Sequence, residues 1–287
     1  MNIPEPRIPS GIPDDRYPDL LRNWFLGPRA RAYLARRRFR EVTALLGGGA
    51  KGRALDAGCG WGYNLFLLAR EGLEPFGIDI VQNDFSAARL IASANGYEAN
   101  LAGADLAALP FVSGSFAAVT AVETFEHVYE GDRATALREA WRVLAPGGRL
   151  ALSTPNYYSI VEAGKRAIVK VPVLKALFPA MCYPAGDVDR GAYHPYRYHK
   201  PAPRRDVVRL LEEAGFRVER ARTVIFIWKN LPDSLVPLGL FLESILERVP
   251  LVRGLGSTLI VLAKKPSSPP REGRGGSGDG DPRRNSE

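Results

Sequence analysis

The sequence predicts a doubly wound α/β domain, and three observations carry that prediction. Short β-type apolar runs at 53–56, 75–80, 117–122, 149–153, 218–226 and 258–262 alternate with helical patterns at 63–71, 84–94, 133–144 and 205–214. Gly72, Gly96, Gly147 and Gly215 stand just past those four helical patterns, where a left-handed C-terminal residue is expected. A glycine-rich loop, Gly58-Cys59-Gly60-Trp61-Gly62, follows the first run and opens the first of these helices. Strands joined by helix-length crossovers run parallel, so the sheet should be covered on both faces. The runs at 218–226 and 258–262 flank a mostly helical segment and close the sheet.

The ends differ from this core. Residues 1–19 hold five prolines and read as an extended arm. Positions 20–46 turn helical, with Trp24, Phe25, Leu34, Phe39, Val42, Leu45 and Leu46 as apolar positions and seven arginines from Arg22 to Arg40. Gly47-Gly48-Gly49 then stops that helix. Residues 266–287 are rich in Pro, Gly and Ser and read as a disordered tail. The expected domain therefore covers 20–265, with a long insertion at 157–200 and a helical segment at 228–256.

Composition narrows the function classes. Hydrophobic residues at 46% and charged residues at 24% exclude a chain disordered throughout. Two cysteines, Cys59 and Cys182, with no C-x-x-C pair argue against a disulfide scaffold and a cysteine zinc site. The start lacks a basic patch followed by an apolar run, and the apolar stretch 235–246 is short and broken by Pro237 and Glu243. A cytoplasmic protein is expected. The net charge is +8, and the tail's four arginines are matched by four acids, so the excess lies on the folding part. Such an excess favours an acidic partner, whether nucleic acid, anionic lipid, or an anionic cofactor or substrate.

The glycine loop is flanked by two acids. Asp56 ends the first strand two residues before Gly58, and Asp79 ends the next in Phe76-Gly77-Ile78-Asp79, a spacing suited to gripping a ribose. Glycines permit a sharp turn and close ligand approach, and the following helix N-terminus favours negative charge. A dinucleotide fingerprint would need glycine at position 63, where Tyr63 stands. A carboxylate beside the loop suits a cofactor with a cationic amino-acid end. That points to S-adenosylmethionine rather than NAD.

This stretch resembles motif I of the class I S-adenosylmethionine-dependent methyltransferases, in particular small-molecule enzymes such as the type 11/23 and quinone-biosynthesis O-methyltransferase families. The resemblance runs in order through residues 50–226, with an edge strand at 257–264. Ala104-Asp105-Leu106 with Leu109-Pro110-Phe111 matches the adenine-facing segment, and Val122 to Val128 matches the "EHV" end of strand four. Arg142-Val143-Leu144-Ala145-Pro146-Gly147-Gly148 matches the turn before strand five. Ala117 departs from the aspartate common in strand four, which bears on stability more than on the cofactor. The resemblance implies a mostly parallel seven-stranded sheet with an antiparallel edge strand and a helical insertion as lid. It also implies Gly58, Gly60 and Gly62 beneath the methionine part, Asp56 placing amides or the amino group, and Asp79 on the ribose. Asp105 with Leu106 would face the adenine, and Glu123 would join the cofactor contacts.

For the chemistry, a hydroxyl acceptor needs a base, and the chain has three histidines. His127 ends strand four, on the side where open α/β sheets bind ligands. His199, with His194, precedes the helix at 205–214. In the resembling quinone enzymes the Glu-x-x-Glu-His pattern can hold a divalent ion, which here implies Glu123, Glu126 and His127 with Mg²⁺. The alternative is that Glu126 and His127 only hydrogen-bond the following loop. The insertion offers Tyr157, Tyr158, Tyr183, Tyr193, Tyr196 and Tyr198 to an acceptor pocket. It also holds a basic amphipathic stretch at 161–181, which with 236–249 suits either a lid or peripheral contact with an anionic membrane. The expected function is methyl transfer to a small-molecule or lipid-like acceptor, oxygen favoured. The rivals are an RNA or protein methyltransferase using the basic N-terminal helix and a non-catalytic scaffold. Nucleic acid is disfavoured because Glu123-Thr124-Phe125 replaces an Asn-Pro-Pro-Tyr-type motif and no RNA-binding module is appended.

Overall fold

Residues 5–9, 21, 25–47, 51–177 and 198–267 are described by a computed structural model. In chain order they form α1 (Arg29–Leu45), β1 (Arg53–Ala57), α2 (Tyr63–Arg70), β2 (Glu74–Asp79), α3 (Phe85–Ala94), β3 (Asn100–Gly103) and β4 (Phe116–Val122). There follow α4 (Arg133–Val143), β5 (Leu144–Pro155), α5 (Ile160–Lys170), α6 (Pro172–Leu177), α7 (Arg204–Glu213), β6 (Arg217–Val224), α8 (Val236–Leu246) and β7 (Thr258–Lys264). The seven strands make one sheet in the order β3-β2-β1-β4-β5-β7-β6. All neighbours from β3 to β5 pair in parallel, whereas β7 runs antiparallel to both β5 and β6. The mostly parallel sheet with an antiparallel strand is the architecture the sequence implies, but the strand expected at the edge over 257–264 is β7, inside the sheet between β5 and β6, and β6 is outermost.

Side-chain alternation divides the core. Leu55, Val119, Leu150, Leu152, Leu259 and Val261 face α4 and α7. On the opposite face Ala54, Ala118 and Ala151 meet Leu34, Val42 and Leu45 of α1. The small residues on this second face let α1 approach the middle of the sheet, and that approach later brings an arginine to the strand ends. Strand β1 is buried at four of its five positions, as a central parallel strand should be. At the far edge, Lys265 donates to the carbonyls of Trp141 and Leu144 and lies 3.8 Å from the Trp141 ring centroid, pinning the end of β7 to α4.

Several expectations are corrected by local chemistry. Of the helix expected over 20–46, the described Leu21 and Phe25 have π-helical backbone, and α1 begins separately at Arg29, after Gly27-Pro28 with Pro28 at ψ 142° on the N-cap. The described part of the amphipathic stretch at 161–181, up to residue 177, is two helices, broken where Val171 precedes Pro172. Strand β3 is short and only partly buried, so it has no apolar run to betray it. Gly72, Gly96 and Gly215 do close their helices with φ of 82°, 74° and 93°. Gly147 also has positive φ, but it sits inside β5, where its N–H donates to the Lys265 carbonyl. Of the arm, residues 5–9 are described. Arg7 exchanges two backbone–side-chain hydrogen bonds with Asn95, and Glu5 pairs with Arg36 and Arg40. Residues 268–287 of the tail, and 178–197 with His194, Tyr183, Tyr193 and Tyr196, lie outside the described residues.

Candidate active site

The loop after β1 is built by its glycines. Gly58, Gly60 and Gly62 have φ of 81°, 46° and 86°, and Gly62 occupies the N-cap of α2. A Cβ on Gly58 would lie 2.4 Å from Thr124 Oγ1, so this position needs glycine for space as well as for φ. The loop thereby rests directly against the end of β4. Its turn is fixed by the Ile78 carbonyl, which accepts from the N–H groups of both Gly58 and Cys59.

Two carboxylates bracket the loop. Asp56 is buried below it, where Oδ1 accepts from Asn64 Nδ2 and Thr120 Oγ1, each at 2.8 Å. Burial, against these two hydrogen bonds and with a further push from Asp79, raises its carboxyl to about 6. Its Oδ2 is buried with no hydrogen-bond partner among the described residues. Asp79, half-buried on the other side, accepts from Gly60 N–H at 3.0 Å and Val81 N–H at 2.9 Å. Burial raises this carboxyl too, against those backbone bonds. Asp105 is exposed just past β3 and accepts from Ala107 N–H, and Leu106 beside it packs against the core. Gln82 lies flat on Gly103, where any Cβ would collide with it.

Across the loop, the end of β4 carries a second cluster. Glu123 has φ 52°, unusual for a residue with a side chain. Its Oε1 accepts from Ser153 Oγ at 2.8 Å and its Oε2 meets Arg38 Nη1 at 3.1 Å. Glu126 is only 2% exposed, and burial, reinforced by Glu123, pushes its carboxyl well above the ordinary range. His127 Nδ1 lies 2.6 Å from the Tyr198 carbonyl, and the His127 and His199 rings have centroids 5.4 Å apart.

His199 reaches the cluster from seventy residues further along the chain because residues 198–200 are tied down. Lys200 N–H donates to the Glu126 carbonyl, and buried Arg133 donates to the carbonyls of Val128 and Lys200. On its other side His199 faces Glu162 at 3.9 Å. Burial would raise Glu162, but hydrogen bonding from His199 and the Lys165 ammonium outweigh it and hold the carboxyl near about 2.

The structure therefore gathers Asp56, Gly58, Gly60, Gly62 and Asp79 at one loop and puts Asp105 and Leu106 after the second strand outward. Ligand atoms of Glu126, His127 and His199 lie within 4.8 Å of one another. Glu123, expected in that ion set, stands apart with both oxygens engaged by Ser153 and Arg38. Sequence reasoning missed Arg38, Ser153, Asn64, Thr120 and Arg133. Asn64 and Thr120 left a faint signal, as polar residues inside otherwise apolar elements; the arginines left none, among so many others.

A methyltransferase-domain family model matches residues 54–148, the span from β1 into β5. The ubiquinone biosynthesis O-methyltransferase of Xanthomonas axonopodis pv. citri is 31% identical over 185 residues, 63% of this chain and 70% of that protein. The chain belongs to the class I S-adenosylmethionine-dependent methyltransferases. The demethylmenaquinone methyltransferase of Thermus thermophilus is 41% identical over a shorter 103 residues, 35% of this chain and 46% of that protein. Among solved structures, a SAM-dependent methyltransferase of Thermotoga maritima aligns with TM-score 0.57 at 17% identity, covering 88% of this chain and 97% of that one. The cyclase SpnF aligns with TM-score 0.52 at 21% identity, covering 83% and 82%. A methyltransferase and a cyclase share this one fold, so the acceptor must be argued from the site.

Proposed function

We propose that this methyltransferase acts on a hydroxyl oxygen of a small-molecule or lipid-like acceptor, with His127 as the base. The observation that carries the reading is the 2.6 Å contact between His127 Nδ1 and the Tyr198 carbonyl. A carbonyl only accepts, so Nδ1 carries a proton, and in the neutral ring Nε2 then keeps a lone pair. Nε2 can then take the acceptor's hydroxyl proton as the new O–CH₃ bond forms. His199 packs beside it and, faced by Glu162, positions or relays that proton. The ubiquinone-biosynthesis O-methyltransferase relative supports oxygen as the methylated atom.

The cofactor fits the loop as built. Three positive-φ glycines shape the loop, with Gly58 packed on Thr124 where a Cβ has no room, and Asp56 offers a buried Oδ2 with no hydrogen-bond partner among the described residues. In this reading Gly58, Gly60 and Gly62 underlie the methionine part and Asp56 orients its cationic end. Asp79 takes the ribose hydroxyls, Asp105 and Leu106 the adenine, and Glu123 closes the far side. Bound S-adenosylmethionine supplies an electrophilic methyl group whose thioether leaving group needs no acid. The residues' task is to align, to exclude water and to remove one proton. Residues 20–265 are taken as one catalytic domain, flanked by the arm and the tail.

A divalent ion is a second reading, favoured by the convergence of Glu126, His127 and His199 and by the buried, unpartnered Glu126 Oε2. Two imidazoles and one carboxylate suit a borderline ion such as zinc better than Mg²⁺, which prefers oxygen. Occupancy would engage His127 as a ligand, so ion and base are alternative uses of one ring. Peripheral membrane contact draws support from exposed Leu238, Phe241, Leu242 and Ile245 on α8 and Ile160 on α5. No helix among the described residues is long and apolar enough to cross a membrane.

The test follows labelled methyl from S-adenosylmethionine into a cell extract, separated into lipid, small polar, protein and RNA fractions with and without chelator. Label on oxygen in the lipid or small polar fraction supports the reading, and chelator sensitivity supports the ion. Label confined to RNA or protein overturns it.

A further inference from the structure

Both residues that flank His199 are pinned to the turn after β4. Tyr198 is 1% exposed; its carbonyl meets His127 Nδ1, and its hydroxyl accepts from Glu130 N–H at 3.2 Å. Lys200 donates its N–H to the Glu126 carbonyl at 3.0 Å and pairs its ammonium with Glu130. Its own carbonyl accepts from Arg133. The backbone at 198–200 therefore lies against residues 126–130, which sets the two imidazoles side by side.

Arg133 sits at this junction. It opens α4, is 3% exposed, and its guanidinium carbon lies 5.2 Å from the Phe125 ring centroid. Nε donates to the Val128 carbonyl at 3.2 Å, while Nη2 reaches the Glu126 carbonyl at 3.4 Å and the Lys200 carbonyl. One planar group thus holds both the stretch that carries His127 and the stretch that carries His199. Burying a guanidinium is costly, and packing alone would be served by an apolar side chain. A lysine has a single nitrogen, so it cannot hold Val128 and Lys200 from two separate atoms.

We infer that Arg133 is a positioning residue for methyl transfer: it docks 198–200 so that the Tyr198 carbonyl fixes a proton on His127 Nδ1. This rests on the reading above that His127 Nε2 acts at the acceptor side, and names the residue that sets the ring. Both uses of Nε2, taking a proton or holding an ion, need its lone pair, so both need this tautomer. Glu126 Oε1, 4.0 Å from Nε2, is the competing acceptor. Once the Tyr198 carbonyl is released, the neutral ring divides between two tautomers, of which one leaves Nε2 free to act.

The test records nitrogen-15 spectra of the histidine rings in the full chain with EDTA present. They are taken at about pH 8.5, some two units above the ordinary imidazole value. Signals are assigned by their loss in His127→Gln and His199→Gln. The wild type is expected to carry the His127 proton on Nδ1. In Arg133→Lys the proton should spread over both nitrogens. Labelled methyl transfer into the cell extract should fall about ten- to hundredfold, with S-adenosylhomocysteine affinity unchanged. Tyr198→Phe removes only the hydroxyl that accepts from Glu130, so it should shift the ring and the rate in the same direction by less. It carries the test if Arg133→Lys does not fold. A wild-type ring with Nδ1 bare overturns the inference. So does an unchanged tautomer in folded Arg133→Lys or, failing that protein, an unchanged tautomer in Tyr198→Phe. A matching loss of S-adenosylhomocysteine affinity overturns it too, by making Arg133 a general support of the fold. Wild-type transfer by His127→Gln would defeat the reading on which this rests, while an altered ring in Arg133→Lys would still support Arg133 as the residue that sets the tautomer.

Discussion

Arg38 on α1 and Glu123 at the end of β4 meet at 3.1 Å, and Glu123 holds that pair from a backbone with φ 52°. A side-chain-bearing residue in this region costs on the order of 1 kcal/mol, so something must hold it there. Ser153 and Arg38 do so, one from the neighbouring strand and one from the first helix. Arg38→Met should release Glu123 while keeping the packing of α1. We expect kcat/KM to fall about tenfold or more, with little change in far-ultraviolet circular dichroism. Full activity in this variant would show that Glu123 needs no such restraint.

The glycine loop gives a sharper contrast. Gly58→Ala must escape both a positive φ and Thr124, so it should cost about 2–4 kcal/mol in urea unfolding. Gly72 has positive φ but open space around a Cβ, so Gly72→Ala should cost only about 1 kcal/mol. Pairing Gly58→Ala with Thr124→Gly should recover part of the loss. Equal costs at the two glycines would remove the steric part of this explanation.

Asp56 makes stability depend on pH in a stated direction. Its folded-state carboxyl sits at about 6, above its ordinary value of 3.8, because burial disfavours the charge. The folded protein therefore holds this proton more tightly than the unfolded chain. The stabilisation is complete below 3.8 and is lost as pH rises through about 6. Asp56→Asn keeps an acceptor for Asn64 and Thr120 and carries no charge. It should raise the Tm of the cofactor-free protein above pH 6, by on the order of 2–3 kcal/mol in stability, with the gain vanishing near pH 4. A pH-independent difference would contradict this.

A buried glutamate anchors α8. Glu243 accepts from Tyr33 Oη, from Arg37, and from the N–H groups of Phe226 and Ile227, while Glu247 accepts from Ile225 N–H. These bonds hold Ile225 at φ 69°. Glu243→Ala would leave Arg37 only Glu247 and Glu41 as carboxylate partners and strand the N–H groups of Phe226 and Ile227, so we expect a loss of about 2–4 kcal/mol by chemical denaturation. A loss under 1 kcal/mol would mean that water replaces the carboxylate.

How much of this was legible in the sequence depended on whether the signal was local. The alternation of strands and helices, the glycine loop, and Asp56 and Asp79 are each written within a few residues, and the structure has them where expected. Strand β3 escaped because three of its four residues are half-buried, the fourth is exposed, and they make no apolar run. Reading 20–46 as one continuous helix overlooked the break at Gly27-Pro28. The acceptor side escaped for a different reason. Arg38 and Arg133 come from distant segments and join His199, a residue the sequence did mark, only because α1 packs on the alanine face and residues 198–200 on the β4 turn. No spacing rule encodes such a meeting. The resemblance put Glu123 in the ion set by pattern alone, whereas its contacts with Arg38 and Ser153 draw it away.

The most direct test of the cofactor site is titration calorimetry of S-adenosylhomocysteine with the wild-type protein and Asp79→Ala. Asp79 spans from the glycine loop to Val81, and its carboxylate is the group assigned to the ribose hydroxyls. We predict one site per chain in the wild type and an affinity at least about hundredfold weaker in Asp79→Ala, as expected on losing charge-assisted bonds. The variant should retain its far-ultraviolet spectrum. Equal affinity in a folded Asp79→Ala protein would contradict the assignment of the site.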